Sequence, residues 1–317
     1  MKKVIGAFVV MIVMMSGCAK IVGPYYLEQG KYEEGVETLT HEYRENPNDA
    51  STAYYLGRLY LALNKPEQAM PYLERAVAAD PADADYLFWQ GVGYWALMDF
   101  DREREMYIKV LRIEPKHISA NLYLGHNYLD RGEVKNALGY YDKVIVLDEF
   151  NPEALYNRGT ALHDLGMEKE AVEAWKKFLE YYPDGSLALQ ATERLNIQGD
   201  FTYRNFIIGK RNVTLRTMVF KPGTFDLTSE SKESLHVLAA MMEENKILDL
   251  HVVGYSGNGK NRARRMVQSV RDYMLSGHPD FDRNRLLLSW FGTPEVVGEG
   301  KRSFTLDDSV KFITVVR

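Results

Sequence analysis

Apolar residues recur at three- and four-residue intervals through the first two thirds of the chain. One stripe holds Tyr54, Leu56, Leu59, Tyr60 and Leu63, and the next holds Ala69, Tyr72, Leu73, Ala76 and Val77. Each marks one face of a helix. Leu63-Asn64-Lys65-Pro66 separates these two, and Asp130-Arg131-Gly132-Glu133 makes the same break further on. The pattern therefore predicts short helices in pairs, joined by tight turns. The pairs repeat in register. Gly57, Gly91, Gly125 and Gly159 stand 34 residues apart. Three residues after them come Tyr60, Tyr94, Tyr128 and Leu162; twelve after come Ala69, Glu103, Ala137 and Ala171; sixteen after come Leu73, Tyr107, Tyr141 and Trp175. Pro47, Pro81 and Pro115 precede the glycines by ten, Glu149 is the exception, and Pro183 keeps the register at the far end. Gly23, Tyr26, Gly35, Leu39 and Pro47 form a truncated first copy. A lone pair cannot bury its stripe, whereas stacked neighbours share a continuous core. The expectation is an α solenoid of five units, about 18–185, closed by a capping helix at 186–197.

After about residue 200 the period changes. Phe201 to Val219 reads as extended, and Pro222-Gly223 makes a turn. Thr228-Ser229-Glu230-Ser231 starts a helix whose apolar side is Leu235, Val237, Leu238, Met241 and Met242. Ile247–Val253 reads as a strand, Arg262–Leu275 as a helix, and Leu286–Trp290 and Val310–Val316 as strands. The order is β-α-β-α-β-β, an α+β sandwich. The expected division is residues 1–17, 18–197 and 198–317.

The repeating register resembles the tetratricopeptide repeat (TPR), a helix-turn-helix unit with a small residue at the helix crossing and a closing proline. The resemblance implies that the first helix of each unit lines an inner groove, where rigid aromatic anchors hold a polypeptide. One row of that groove would be Tyr54, Phe88, Leu122 and Tyr156. A second would be Arg58, Val92, His126 and Thr160. A third would be Leu61, Trp95, Leu129 and His163, with Asp130 and Asp164 beside it. Trp95, Arg58 and His126 are the foremost candidates, and packing between helices is the competing role for each.

The last third resembles the OmpA-like, or OmpA/MotB C-terminal, domain. The likeness rests on Phe225 and Leu227, on Leu250-His251-Val252-Val253-Gly254-Tyr255-Ser256, and on Gln268-Ser269-Val270-Arg271-Asp272-Tyr273-Met274. The family commonly grips the diaminopimelate of peptidoglycan with an aspartate and an arginine, and an arginine–carboxylate fork is geometrically demanding. Here Gly257 stands at the aspartate position and Met266 at the arginine position. A repurposed domain is the favoured reading, and a non-covalent peptidoglycan tether the alternative. Lys260, Arg262, Arg264 and Arg265 cluster at the start of the second helix, where an anion or peptidoglycan contact is conceivable.

Lys2 and Lys3, an apolar run from Val4 to Met15, and Ser16-Gly17-Cys18 have the form of an export signal. Met15-Ser16-Gly17-Cys18 resembles a bacterial lipobox, which implies lipidation at Cys18 and an outer-membrane lipoprotein facing the periplasm, with surface exposure also open. Cys18 is the single cysteine, so no internal disulfide is available. An ordinary signal peptide is the plainer alternative. The net charge of −5 conceals a split. Residues 18–200 carry 19 basic against 31 acidic side chains, and residues 201–317 carry 18 against 13. The acidic repeats argue against nucleic acid. Gly254 to Asn261 nearly spells a phosphate-binding loop, but Asn261 stands where Ser or Thr belongs. The seven histidines show no metal-ligating spacing, and no nucleophile constellation is present. Neither an enzyme nor a cofactor is expected. The function expected is an envelope-assembly scaffold, of secretion or pilus type, that binds protein partners.

Overall fold

The computed structural model describes residues 19–278, 281–298 and 303–317. The proposed signal and Cys18 lie outside the described residues. Eleven helices among those described precede the first strand. They are α1 (Ala19–Glu28), α2 (Tyr32–Glu45), α3 (Ala50–Ala62), α4 (Pro66–Ala79), α5 (Ala84–Ala96), α6 (Phe100–Ile113), α7 (Ile118–Asp130), α8 (Val134–Leu147), α9 (Pro152–Asp164), α10 (Glu168–Tyr181) and α11 (Ser186–Ile197). In the first unit α1–α8 pair successively, four antiparallel pairs in a solenoid-like array; α9 and α10 make a fifth pair, and α11 follows as a single helix.

Local chemistry repeats with the sequence. The first helices of successive pairs are capped at one register. Asp49 accepts from the Ser51 and Thr52 amides, Asp83 from Tyr86 (3.0 Å), His117 Nδ1 from Ala120 (3.0 Å) and Asn151 from Ala154 (3.0 Å). Each satisfies an amide that the first turn would leave unpaired. The helix crossings explain the glycine column. A Cβ on Gly91 would sit 2.5 Å from the Tyr107 ring, and one on Gly159 would sit 2.4 Å from Trp175. Glycine is thus matched to the large residue sixteen positions later. The turn inside each pair takes positive φ at Asn64 (56°), Met98 (59°), Gly132 (72°) and Gly166 (75°).

Beyond α11 lie β1 (Tyr203–Ile208), β2 (Arg211–Arg216), α12 (Ser229–Glu244), β3 (Leu248–Ser256), α13 (Lys260–Gly277), a 3-10 turn at Arg283–Arg285, β4 (Leu286–Phe291), β5 (Glu295–Val297), β6 (Phe304–Leu306) and β7 (Asp308–Val316). The central sheet runs β4-β3-β7, with β3 parallel to β4 and antiparallel to β7. The segment expected as one extended run, 201–219, is instead a hairpin of β1 and β2, because Gly209 adopts φ 66° and reverses the chain. The short β5–β6 pair is a further addition to the expected order. Leu238, Leu250, Val252, Val267 and Val270 lie fully buried in one core with Phe206 and Phe312.

The chain packs as two compact units, one reaching Ala154 and the other running from Leu155 to Arg317. Helix gives way to strand between Ile197 and Tyr203, whereas the packing break falls inside α9. The reason is visible within the second unit. Asn205 donates to the Leu189 carbonyl (2.9 Å) and Asn196 to the Tyr203 carbonyl (2.8 Å), so β1 is fastened to α11.

Candidate partner-binding site in the helical repeats

The end of α5, the start of α6 and most of α7 enclose a cavity of about 250 Å³ in the first unit. Trp95 on α5 and Glu103 and Tyr107 on α6 line it, together with Tyr123, His126, Asn127 and Asp130 on α7. Glu153, at the start of α9, and Val92 complete the wall. Helical spacing makes this possible. Glu103 and Tyr107, Tyr123 and Asn127, and His126 and Asp130 are each four apart and so share a face. Trp95 is 56% exposed at the mouth, while Glu103 is only 3% exposed.

The cavity is electrically unusual for a helical core. Asn127 donates from Nδ2 to Glu103 Oε2 (2.7 Å, buried) and to the Phe100 carbonyl (2.9 Å). Its Oδ1 accepts from Arg104 Nε (2.8 Å), and Arg104 also pairs with Glu133 (2.8 Å) and lies over the Tyr128 ring. Burial raises the Glu103 carboxyl to about 7, against the opposing hydrogen bond from Asn127, and Asp130 adds to the rise. His126 bridges Tyr141 Oη (Nδ1, 2.9 Å) and Glu153 Oε2 (Nε2, 3.2 Å). Burial lowers its pKa, partly countered by Glu153, which favours the neutral ring near pH 7.

Of the residues expected from sequence, Val92, Trp95, His126 and Asp130 meet in this cavity. The first expected row does not line a groove. Tyr54, Phe88, Leu122 and Tyr156 are between 5% and 7% exposed and pack between helices. Phe88, for example, stacks on Tyr123 with centroids 5.6 Å apart. Arg58 donates to Tyr54 Oη (3.1 Å) and lies 4.2 Å over Trp89, so its guanidinium is held by its own repeat and the next. His163, in the second unit, hydrogen-bonds Glu168 (2.8 Å) and is not part of the cavity. Glu103 and Asn127 were not singled out from sequence. Their signal was a break in a column, a carboxylate at the position held by Ala69, Ala137 and Ala171.

In the second unit the expected basic cluster is divided. Arg262 is bound to Asp308 through Nε and Nη2 (both 2.7 Å). Arg265 lies 4.1 Å over Phe225 and Arg264 5.6 Å over Trp290, while Lys260 is exposed at the helix start. The loop before α13 spends its amides internally: Gly257 donates to the Asp307 carbonyl (2.7 Å) and Gly259 to the Ser256 carbonyl (3.2 Å). With the Asn258 amide donating to Ser256 Oγ (3.2 Å), three successive amides of the loop are taken and do not face a phosphate. Met266 is fully buried in the core, and Gly257 sits beside Pro294 and Asp307.

No helix among the described residues is long and apolar enough to cross a membrane. Among known families, "Tetratricopeptide repeat" profiles match residues 26–87 and 153–185, and a "TPR repeat" profile matches residues 125–166. No curated protein matches the chain. Among solved structures it is similar to the crystal structure of MamA, at 23% identity over 50% of this chain and 93% of that one, with a TM-score of 0.47. It is similar also to YrrB, described as a TPR protein with an unusual peptide-binding site, at 19% identity over 54% of this chain and 88% of that one, with a TM-score of 0.47. Residues 26–87 and 125–185 of this chain are tetratricopeptide repeats.

Proposed function

We propose that this protein is an envelope scaffold, lipid-anchored through Cys18 in the outer membrane and facing the periplasm, whose repeats hold a polypeptide of a secretion or pilus-type assembly. The observation that carries the reading is the cavity in which Trp95, His126 and Asp130 converge. An exposed tryptophan beside a preformed hollow is the usual character of an anchoring site in a protein interface. The export-like start, Lys2 to Cys18, supports the anchor.

The last third is read as an OmpA-like domain turned to another use. Its order of hairpin, helix, strand, helix and strand, with β3 central between β4 and β7, supports that reading. Position 266 is inside the core, so an arginine there would not reach a ligand without repacking. An open cleft lined by Lys221, Lys232, Arg265, Gln268 and Asp272 is the one feature in favour of the wall-tether alternative.

Labelling with a fatty-acid analogue checks the anchor: the wild type takes up label and Cys18→Ser does not. Crosslinking in intact cells checks the scaffold: a partner crosslinks to the wild type and is lost with Trp95→Ala. Sedimentation with purified peptidoglycan checks the alternative, and the scaffold reading expects the protein to remain in the supernatant.

A further inference from the structure

We propose that the cavity between α5, α6 and α7 is a recognition pocket for one cationic side chain, the ammonium of a lysine or the guanidinium of an arginine, presented by a partner polypeptide. The inference rests on the scaffold reading and names the chemistry of what the scaffold holds.

Size, wall and charge each point to that occupant. A hollow of about 250 Å³ suits a single long side chain and is small for a free cofactor. Trp95, Tyr107 and Tyr123 supply aromatic faces, the surface over which a cation is attracted by the ring quadrupole. Glu103, Asp130 and Glu153 supply three carboxyl groups around the same space. Among the lining residues the only basic group is His126, which burial disposes to the neutral form. Arg104, next to Glu103 in sequence, is directed to Asn127, Glu133 and the Tyr128 ring. The cavity therefore attracts a cation and repels an anion.

The comparison among repeats supplies a separate argument. At the position of Glu103 the other repeats place Ala69, Ala137 and Ala171, all fully buried. At the position of Asn127 they place Leu59, Gly93 and Ala161. The fold closes well without polar groups at either place. A buried carboxyl group is costly, and this one is oriented by a buried amide that serves no helix cap. A carboxyl group kept at the wall of a cavity, against the packing preference of its own repeat, is explained by something that it binds.

Two measurements on the full chain test this. In the first, n-butylguanidinium and n-butylammonium are titrated against the neutral isostere n-butylurea at matched ionic strength. The signal is the Trp95 indole N–H resonance, identified by its loss in Trp95→Phe. Both cations are expected to saturate it, n-butylurea is not, and Glu103→Gln is expected to weaken the cations at least tenfold. Equal responses to cation and urea overturn the pocket. In the second, the protein is applied to an array of random peptides. Peptides rich in Lys or Arg are expected to be retained, with at least tenfold less retained by Glu103→Gln. Retention of peptides without basic residues overturns the inference and leaves the scaffold reading standing. Saturation by the small cations with no peptide retained overturns the polypeptide as occupant and, with it, the scaffold reading. Glu103→Ala, which restores the alanine of the other repeats, is the control for folding and is expected to bind neither cation.

Discussion

At the scale of single residues, Glu103 couples the repeats to pH. Its folded carboxyl is raised to about 7, above the ordinary glutamate value, so between pH 4.5 and 7 the folded state keeps a proton that the unfolded chain has lost. Below that window the group is neutral in both states and carries no penalty. As pH rises through it, stability falls, by roughly 3 kcal/mol in all if the shift is fully expressed. Urea unfolding at pH 5 and pH 8 should therefore show a larger loss in the wild type than in Glu103→Gln. Met98 is a second residue with a stored cost. It takes φ 59° where the equivalent turns use asparagine or glycine, and its side chain is exposed. Left-handed backbone in such a residue costs about 1–2 kcal/mol. Met98→Gly is expected to raise stability by about 1 kcal/mol, after the added freedom of the unfolded chain is allowed for, read as a higher midpoint in thermal unfolding. Some of this detail was legible beforehand. The pairing of each glycine with the bulky residue sixteen positions on was in the register. The meaning of Glu103 was not, since a single polar break in an apolar column reads equally as surface until burial is known. Rows also misled: Phe88 and Trp95 stand seven apart on nearly the same face of α5, and what separates the buried ring from the exposed one is roughly 10 Å of rise along the helix, which periodicity does not record.

At the scale of elements, the helices were legible and the sheet was partly so. Ten helices in five pairs, and the closing α11, follow from repeated apolar stripes and repeated caps. β1 and β2 were merged because the turn signal, Gly209-Lys210, is only two residues long inside an otherwise extended run. β5 and β6 have three residues each, too few to show a period. Their place is fixed by long-range chemistry instead. Arg204 on β1 makes a two-pronged contact with Glu295 on β5 (2.8 and 2.9 Å), and Ser309 on β7 donates to the same carboxylate (2.5 Å). All three are buried. Burial alone would raise the Glu295 pKa, but the hydrogen bonds from Arg204 and Ser309 hold it below the usual value. Arg204→Ala strands that carboxylate and is expected to cost about 3–5 kcal/mol in denaturant unfolding. Arg204→Met combined with Glu295→Leu is expected to recover most of the loss, because a removed pair leaves no unpaired charge.

At the scale of the whole molecule, sequence periodicity and packing divide the chain at different places. The period ends near 198, where the apolar spacing changes. The packing break lies between Ala154 and Leu155, since the last repeat and α11 share a unit with the hairpin. Periodicity records how a segment folds locally, and it is blind to which neighbour later covers its exposed face. A protein ended after Ile197 would leave α11 without β1 and β2. Hydrogen exchange across 186–197 is expected to become much faster in that shortened form and to change little across 50–79, which lies in the other unit.

The hairpin laid on α11 also limits what the array can become. Stacked repeats invite further copies at an open end, whether added by gene duplication or contributed by a second molecule docking head to tail. With β1 fastened to the last helix, that end is a finished terminus. Lengthening by duplication would have to occur upstream of α11, and filament growth by end-on stacking is blocked at this face.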